Sequence, residues 1–550
     1  MANLAAFKIP KVSNEPNKHY TKGSEDRKIL EDAVSKLQKE APWEVPLVID
    51  GKHITTSTIK EQYDPSSHST VVAKYSNAST ADVNKAIDSA LAAKPAWESL
   101  PFADRAAVFL KAADLVAGKY RSAIMAATMV GQGKNAWQAE IDAAAEFVDF
   151  LRFNVQFAEE LYQTQPAHNS PGVWNRTEYR PLEGFVYAIS PFNFTAIGGN
   201  LVAVPALMGN VVLWKPSDYA IAANWLTYQI LLEAGLPAGV IQFVPGDPVT
   251  VTDAALNHKQ FAALHYTGST AVFRGLYGKI ASNIADGKYR GYPRIIGETG
   301  GKNFHLVHGT ADIPNAVAQT VRGAFEYQGQ KCSATSRAYV AKSVWPEFKD
   351  GLIAATKTLK VGPSTTPENF IGPLIHQGAF DRVSGAIDAA NKDSSLTLLV
   401  GGKHDSSKGF FVHPTVYESK SASHELFSKE LFGPVLVIHV YDDASADSLA
   451  TICKTIDETS EYALTGAVFA ADRNIVREAE ERLRNAAGNF YVNCKSTGAV
   501  VGQQPFGGAR ASGTNDKAGS ANILSRFVSP RSIKEDFVGS VEVEYPSNKI

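Results

Sequence analysis

The chain has 550 residues, 44% hydrophobic and 20% charged, with 54 basic against 56 acidic side chains and a net charge of -2. That length exceeds one hydrophobic core and predicts two or three domains, while the near-neutral balance gives no field for nucleic acid or a membrane surface. Three cysteines, Cys332, Cys453 and Cys494, far apart and odd in number, exclude a disulfide framework and point to a reducing compartment.

The first twelve residues, MANLAAFKIPKV, hold two lysines and no acid, but no arginine, and do not read as a transit peptide. No apolar run approaches the roughly 20 residues that span a bilayer. From Thr80 to about Gln165 apolar residues recur at three- and four-residue spacings, in ADVNKAIDSALAAKPAWESL, DRAAVFLKAADLVAGKY and QAEIDAAAEFVDFLRFNVQFAEELY, predicting amphipathic helices. Within this stretch VGQGKNA sets Gly131, Gly133 and Ala136 at dinucleotide-fingerprint spacing. The fingerprint needs a strand before it, and helical pattern lies on both sides, so an interhelix turn is the better reading.

From Gly184 the β-rich runs FVYAIS, VVLW, VIQFV, FAALHYTG and PRIIG alternate with helical segments such as AANWLTYQILLEAGL, predicting a parallel sheet with crossover helices. A second α/β series starts near Glu298, with NFHLVH, RAYVAK, LTLLVGG and VLVIHVY as strands, and places a boundary near Gly297. TEYRPLEGF and the tail EDFVGSVEVEYPSNKI read as strands apart from either core. No internal repeat is visible.

VVLWKPSD puts Lys215 just past a buried strand, at the carboxyl end where α/β folds bind ligands; a plain surface lysine is the alternative. In HYTGSTAVF, Gly268, Ser269 and Thr270 follow a strand and either open a phosphate-binding helix or simply cap one. Glu298 in GETGGKN is a general base or a solvated turn residue. Cys332, in FEYQGQKCSATSR, sits among polar residues, the setting of a reactive thiolate rather than of a core hydrophobe. Taken together, Cys332, Glu298 34 positions earlier and the amide of Asn193 in ISPFNF make a nucleophile, a base and an oxyanion donor. No histidine is arranged to complete a Cys/His hydrolase pair, and the odd spacing of His305 and His308 in a strand points them to opposite faces, so no metal site is expected.

With SPFNF, VVLWKPSD, YTGST, ETGGKN, GQKCSATSR, ELFGPV and QQPFGGARASGTND in this order, the chain from about Val48 to Val528 resembles the aldehyde dehydrogenase superfamily. ISPFNFTAIGGNL, FEYQGQKCSA, AAGNFYVN and STGAVVGQQPFGG are most similar to its eukaryotic stand-alone L-glutamate γ-semialdehyde (Δ1-pyrroline-5-carboxylate) dehydrogenase branch. The resemblance implies an α/β fold of two open domains plus a β-flap for oligomerisation. It assigns 1–160 and 186–297 to NAD binding, 298–498 to catalysis, 161–185 and 529–550 to the flap, and 499–528 to a segment closing the site. It implies Cys332 as nucleophile, Glu298 as base and Asn193 as oxyanion donor. Lys215, Ser217, Asp218, Gly268, Ser269, Thr270, Ala271, Val272, Glu430 and Phe432 would hold the cofactor NAD, with Asp218 disfavouring a 2′-phosphate by like-charge repulsion.

The same resemblance places the amino-acid end of the substrate against Ser333, Gly498 and Ala499, with Ser190 nearby and Phe194 and Phe506 flanking its aliphatic chain. Ala499 replaces a serine of relatives, and Phe273 stands where many members carry glycine. The implied reaction is NAD-dependent oxidation of glutamate γ-semialdehyde to glutamate in proline catabolism, in a homodimer or higher homo-oligomer of the mitochondrial matrix, with a cytoplasmic site left open. Three rivals remain: a coenzyme-A-acylating or otherwise different semialdehyde dehydrogenase, a cysteine hydrolase, and a non-catalytic binding member of the fold.

Overall fold

Glu298 ends one strand and Asn303 begins the next, yet the two strands lie in different sheets. The computed structural model describes residues 8–549, so residues 1–7 of the N-terminal stretch weighed as a transit peptide, and the last residue of the tail, lie outside it. The first sheet has seven strands in the order Arg294–Glu298, Phe261–Thr267, Phe185–Ile189, Val211–Lys215, Ile241–Phe243, Leu47–Ile49 and Lys52–Ile54. The first five run parallel. The last two are an antiparallel edge that the sequence reading did not mark. Phe185–Ile189 and Phe261–Thr267 are neighbours in space but not in sequence, so their connections leave in opposite directions and open a crevice at the carboxyl edge.

The second sheet has the order Leu396–Val400, Thr415–Ser419, Val435–Tyr441, Thr335–Ala341, Asn303–Val307, Thr465–Phe469 and Asn489–Val492. All of its pairings are parallel except the edge strand Leu396–Val400. Val211–Lys215 and Asn303–Val307 are buried at every position, which is why such strands read as unbroken apolar runs rather than alternating ones. Gly297 and Glu298 still pair with Tyr266 and Thr267, so the first sheet extends through Glu298. Four residues, Thr299–Lys302, then carry the chain across. The carboxyl edge of the first sheet thereby meets the amino edge of the second.

Three local features differ from the sequence reading. The long helix read over 138–162 is divided: Glu140–Glu146 is π-helical and Phe147–Tyr162 is α-helical. VGQGKNA is an interhelix turn, with Gly133 at φ 70° ending the helix Arg121–Gln132. In the tail the strand is Val528–Asp536, which pairs with Val173–Pro181 over nine positions outside both sheets. Beyond it no strand forms, because no sheet edge of the same chain lies there to take its hydrogen bonds, and Val541 and Val543 are fully or almost fully exposed.

Asn303 stitches the amino edge of the second sheet together. Its buried amide donates to the carbonyls of Cys332 (2.7 Å) and Ala334 (2.8 Å) and accepts the N–H of Thr465 (3.0 Å). Asn303→Asp keeps the shape but loses both donors. Leaving buried partners unsatisfied costs about 1–3 kcal/mol each, so this variant should lose about 3 kcal/mol or more of unfolding free energy in urea titration. A loss below about 1 kcal/mol would show that the stitch is dispensable.

Candidate active site

The segment before Cys332 follows the helix Ile313–Phe325 and turns through two left-handed residues, Tyr327 (φ 52°) and Gln328 (φ 55°). Side chains hold this turn. Tyr327 OH donates to the Gln132 carbonyl (2.8 Å), Gln328 Nε2 donates to the carbonyls of Gly133 (3.0 Å) and Pro373 (2.9 Å), and Gln330 Oε1 accepts the Ile375 N–H (2.9 Å). The polar residues around Cys332 therefore tie backbone together, and they do not lower the pKa of the thiol. Burial, with Glu298 and Glu430 nearby, pushes that thiol up to about 12. Desolvation and the two carboxylates outweigh the backbone N–H groups of Ser333 and Cys332, which favour the thiolate.

Asn193 follows Phe185–Ile189 at the crevice, and one N–H of its amide donates to the Gln330 carbonyl at 3.0 Å. That bond fixes the amide beside the Cys332 segment and leaves its second N–H free to donate. Glu298 ends its strand with Oε2 accepting the Gly508 N–H at 3.2 Å. Burial pushes its carboxyl well above the ordinary carboxylate range, with Lys517 opposing the shift. Such a group holds a proton more readily than a surface glutamate and suits general-base work near neutrality.

On the crevice side, Lys215 ends Val211–Lys215 and its ammonium donates to Asp218 at 3.1 Å, with the hydroxyl of Ser217 next in the chain. Ser269 caps the 16-residue helix Thr270–Ala285 through the Val272 N–H (3.3 Å). Among the described residues no protein acceptor meets the N–H groups of Thr270 and Ala271, so the positive end of this helix offers free donors. This set suits a dinucleotide: donors for a pyrophosphate, with a cation and a carboxylate beside them for ribose hydroxyls. Gly268 is required by Tyr266, whose hydroxyl would stand 2.5 Å from an added Cβ. Phe273 is 8% exposed and stacks on Tyr266 at 5.5 Å, with its ring over Gly297, so it fills the interior rather than the pyrophosphate face. Glu430 lies folded against Gly300 and Gly301, accepting the Gly301 N–H at 2.9 Å, and Phe432 (φ 53°) meets Phe192 edge-on at 5.9 Å.

On the other side of Cys332, the Ser333 hydroxyl pairs with Thr497 at 2.7 Å, and Ser496 Oγ donates to the Ser333 carbonyl at 3.1 Å. The next residues of that loop are Gly498, at φ 97°, and Ala499. Phe194 begins the helix Thr195–Leu207 and receives the Lys134 ammonium over its ring at 4.0 Å. Phe506 pairs through its backbone with Ala518. Ser190 is buried and its hydroxyl accepts the Trp214 indole N–H at 3.0 Å, which leaves its own O–H available to donate. His305 is a core residue bonded to Thr320, Thr335 and the Ser496 N–H, and among the described residues no cluster could hold a metal.

Several charged groups here escaped the sequence reading. Lys134 is fully buried, ion-paired with Asp142 at 2.7 Å, while Asp142 also accepts the N–H groups of Thr195 and Ala196. Lys331, next to Cys332, pairs with Glu326 at 3.1 Å, and Lys495 donates to both Glu326 oxygens at 2.8 Å. Burial lifts Glu146, on the π-helical stretch, to about 8 and lowers Lys331 to about 8. Lys331 is close enough to Glu146 to oppose its shift. Glu146 and Asp142 leave one sequence signal, ionisable residues inside otherwise apolar helix, whereas Lys134, Lys331 and Lys495 lie in turns and loops and leave none.

A cysteine, a half-buried glutamate and an amide at the junction of a dinucleotide crevice and a second α/β sheet are the set an aldehyde oxidoreductase requires. The sequence matches the pattern described as the aldehyde dehydrogenase family over residues 53–533, and the chain belongs to that family. It is 63% identical, over 100% of its length and 96% of the relative's, to the mitochondrial Δ1-pyrroline-5-carboxylate dehydrogenase of Emericella nidulans. Against the probable Δ1-pyrroline-5-carboxylate dehydrogenase of Schizosaccharomyces pombe the identity is 60% over 100% of both chains. The crystal structure of the Δ-pyrroline-5-carboxylate dehydrogenase from Mycobacterium tuberculosis bound with NAD superposes with a TM-score of 0.95, at 48% identity over 100% of both chains.

Cys332→Ala should leave less than about one part in a thousand of the turnover, while Cys453→Ala and Cys494→Ala stay active. In the free enzyme the thiolate fraction of a group near pKa 12 rises tenfold per pH unit. Alkylation of Cys332 by iodoacetamide should therefore keep accelerating up to about pH 10. A plateau near pH 8 would contradict the burial of the thiol.

Proposed function

We propose that this chain oxidises L-glutamate γ-semialdehyde, the open form of Δ1-pyrroline-5-carboxylate, to L-glutamate with NAD as acceptor, a step of proline catabolism. The observation that carries this reading is the placement of Cys332 between a dinucleotide crevice and the loop at Gly498, in a chain at least 60% identical to two Δ1-pyrroline-5-carboxylate dehydrogenases across its whole length. Lys215, Ser217, Asp218, the first N–H groups of Thr270–Ala285, Glu430 and Phe432 would hold the cofactor. NAD, when bound, supplies the two-electron acceptor that turns the tetrahedral adduct into a thioester.

The chain's own groups do the rest. The Cys332 proton passes to a base, and Glu298, whose burial makes its carboxylate unusually basic, is the group suited to take it. The Cys332 sulfur attacks the aldehyde carbon, and the free N–H of Asn193 with the Cys332 backbone N–H receives the oxyanion. Glu298, once that proton has passed to solvent, draws a proton from water for attack on the thioester; the C–S bond breaks, the Cys332 sulfur regains a proton and glutamate leaves. Ser333, Gly498 and Ala499 take the α-carboxylate. Thr497, already bonded to Ser333, supplies hydroxyl density that Ala499 lacks.

The exposed strand pair Val173–Pro181 with Val528–Asp536, followed by the exposed Phe537, Val538, Val541 and Val543, supports a homodimer or larger homo-oligomer built on this flap. The two sheets and this strand pair support a division into NAD-binding (1–160 and 186–297), catalytic (298–498), flap (161–185 and 529–550) and closing (499–528) segments, with Glu298 itself still paired in the first sheet. The relatives named mitochondrial in Emericella nidulans and Homo sapiens support a matrix location.

The test is reduced-nicotinamide absorbance with glutamate γ-semialdehyde, with and without coenzyme A. Turnover to free glutamate without coenzyme A supports the reading, while a requirement for coenzyme A assigns the acylating rival. Glu298→Gln removes the acceptor for both protons, so it should lose the NADH burst along with turnover; a burst of about one equivalent per site that stalls as an acylated enzyme, visible by mass spectrometry, would confine Glu298 to the later step.

A further inference from the structure

The loop 493–508 carries Gly498 and Ala499 without any helix or strand of its own. Its position must therefore come from side chains that reach it. At one end Ser496 and Thr497 bond to Ser333, next to Cys332. At the other end the partner is remote in sequence: the Asn14 amide donates to the Val501 carbonyl at 2.7 Å and accepts from Gln503 Nε2 at 3.0 Å. The same Asn14 Nδ2 donates to Asp149 Oδ2 at 2.7 Å, and the Glu15 N–H donates to Asp149 Oδ1 at 2.7 Å. All of the amide's donors and its oxygen are thus engaged, joining the N-terminal arm, the helix Phe147–Tyr162 and the loop.

The arm can bear this because it is itself anchored. Glu15 takes Arg121 at 2.6 Å and Arg152 at 2.8 Å, Arg121 donates to the Pro16 carbonyl at 2.9 Å, and Tyr20 OH donates to Glu140 at 2.7 Å. The loop meets the same helix sterically at Gly502, whose φ is 81° and whose added Cβ would stand 2.5 Å from the Phe153 ring. Gly498 and Ala499 therefore lie between two clamps, one beside the nucleophile and one on the arm.

We infer that Asn14 is a positioning residue for substrate recognition: it sets the spacing of the Gly498–Ala499 amides from Cys332, and so acts only on substrates that carry a carboxylate to be received there. The inference rests on the proposed substrate. It separates this arm from the thiol, base and oxyanion donor, none of which Asn14 touches.

With glutamate γ-semialdehyde, Asn14→Ala should raise KM about five- to thirty-fold, the scale of one or two lost neutral hydrogen bonds, with kcat little changed. Propanal, which has no carboxylate, should keep its kcat/KM within about twofold. Deuterium exchange of peptides covering 498–504 should be faster in the variant than in wild type. Gln503→Ala, at an exposed position, should shift KM in the same direction by less, and the double variant should lose less than the product of the two, because both remove one bond. Equal losses with both aldehydes, or unchanged KM and exchange, would overturn the inference. If Asn14→Ala does not fold, Gln503→Ala decides it by the same two readouts. If wild-type enzyme shows no preference for the semialdehyde over propanal, the proposed substrate fails instead, and the exchange measurement alone decides whether Asn14 holds the loop.

Discussion

The site depends on a four-residue crossing, Thr299–Lys302, that brings two sheet edges together with almost no space between them. A Cβ at Gly300 would stand 2.3 Å from a Glu430 oxygen, and one at Gly301 would stand 2.4 Å from the Cys332 carbonyl. The backbone approach at Gly301 requires glycine, whereas a side chain at Gly300 would displace the Glu430 carboxylate. The crossing is held from every side: Thr299 N–H and Oγ1 donate to the carbonyls of Ser512 and Ala511, Gly300 N–H donates to Thr270, and Arg337 donates to the Lys302 carbonyl. Glu298, at its start, and Cys332, against its end, are therefore fixed relative to one another before any ligand arrives.

That closeness has an electrostatic consequence. Desolvation raises the proton affinity of Cys332, Glu298 and Glu430 together, which favours the thiol form of Cys332. A protected thiol is slow to oxidise or alkylate, and a basic Glu298 beside it can take the proton when an aldehyde is present. The buried cations serve a different end. Removing the partner of a buried charge costs several kcal/mol, so Lys134 and Asp142 lock each other, and Asp142 in turn holds the first N–H groups of the helix that follows Asn193 and Phe194. The segment that carries Asn193 and Phe194 is thus aligned by a buried charge pair.

The two successive α/β series and the candidates Cys332, Glu298 and Asn193 were legible because each sits in a short motif whose local composition departs from its surroundings. Lys134 was not, since VGQGKNA reads correctly as a turn and nothing local shows that its lysine is swallowed by the interior. The roles of Thr497 and Asn14 were hidden for another reason: each depends on a partner more than a hundred residues away, and sequence spacing carries no record of such pairs. The π-helical stretch kept its apolar periodicity closely enough to pass for ordinary helix, concealing the carboxylate of Glu146. The polar residues around the thiol have a structural task besides: Gln328 and Gln330 bond to backbone, while Lys331 and Ser333 bond to the side chains of Glu326 and Thr497.

The account rests on thiol chemistry common to the family joined to a carboxylate cradle centred on Ser333. The most direct measurement is kcat/KM of Ser333→Ala with glutamate γ-semialdehyde and with propanal, each relative to wild type. A hydrogen bond to a charged group contributes about 1.5–3 kcal/mol, so the first should fall roughly ten- to a hundred-fold while the second stays near its wild-type value. An equal fall for both would show that Ser333 only supports the neighbouring Cys332, and that the substrate carboxylate is held elsewhere.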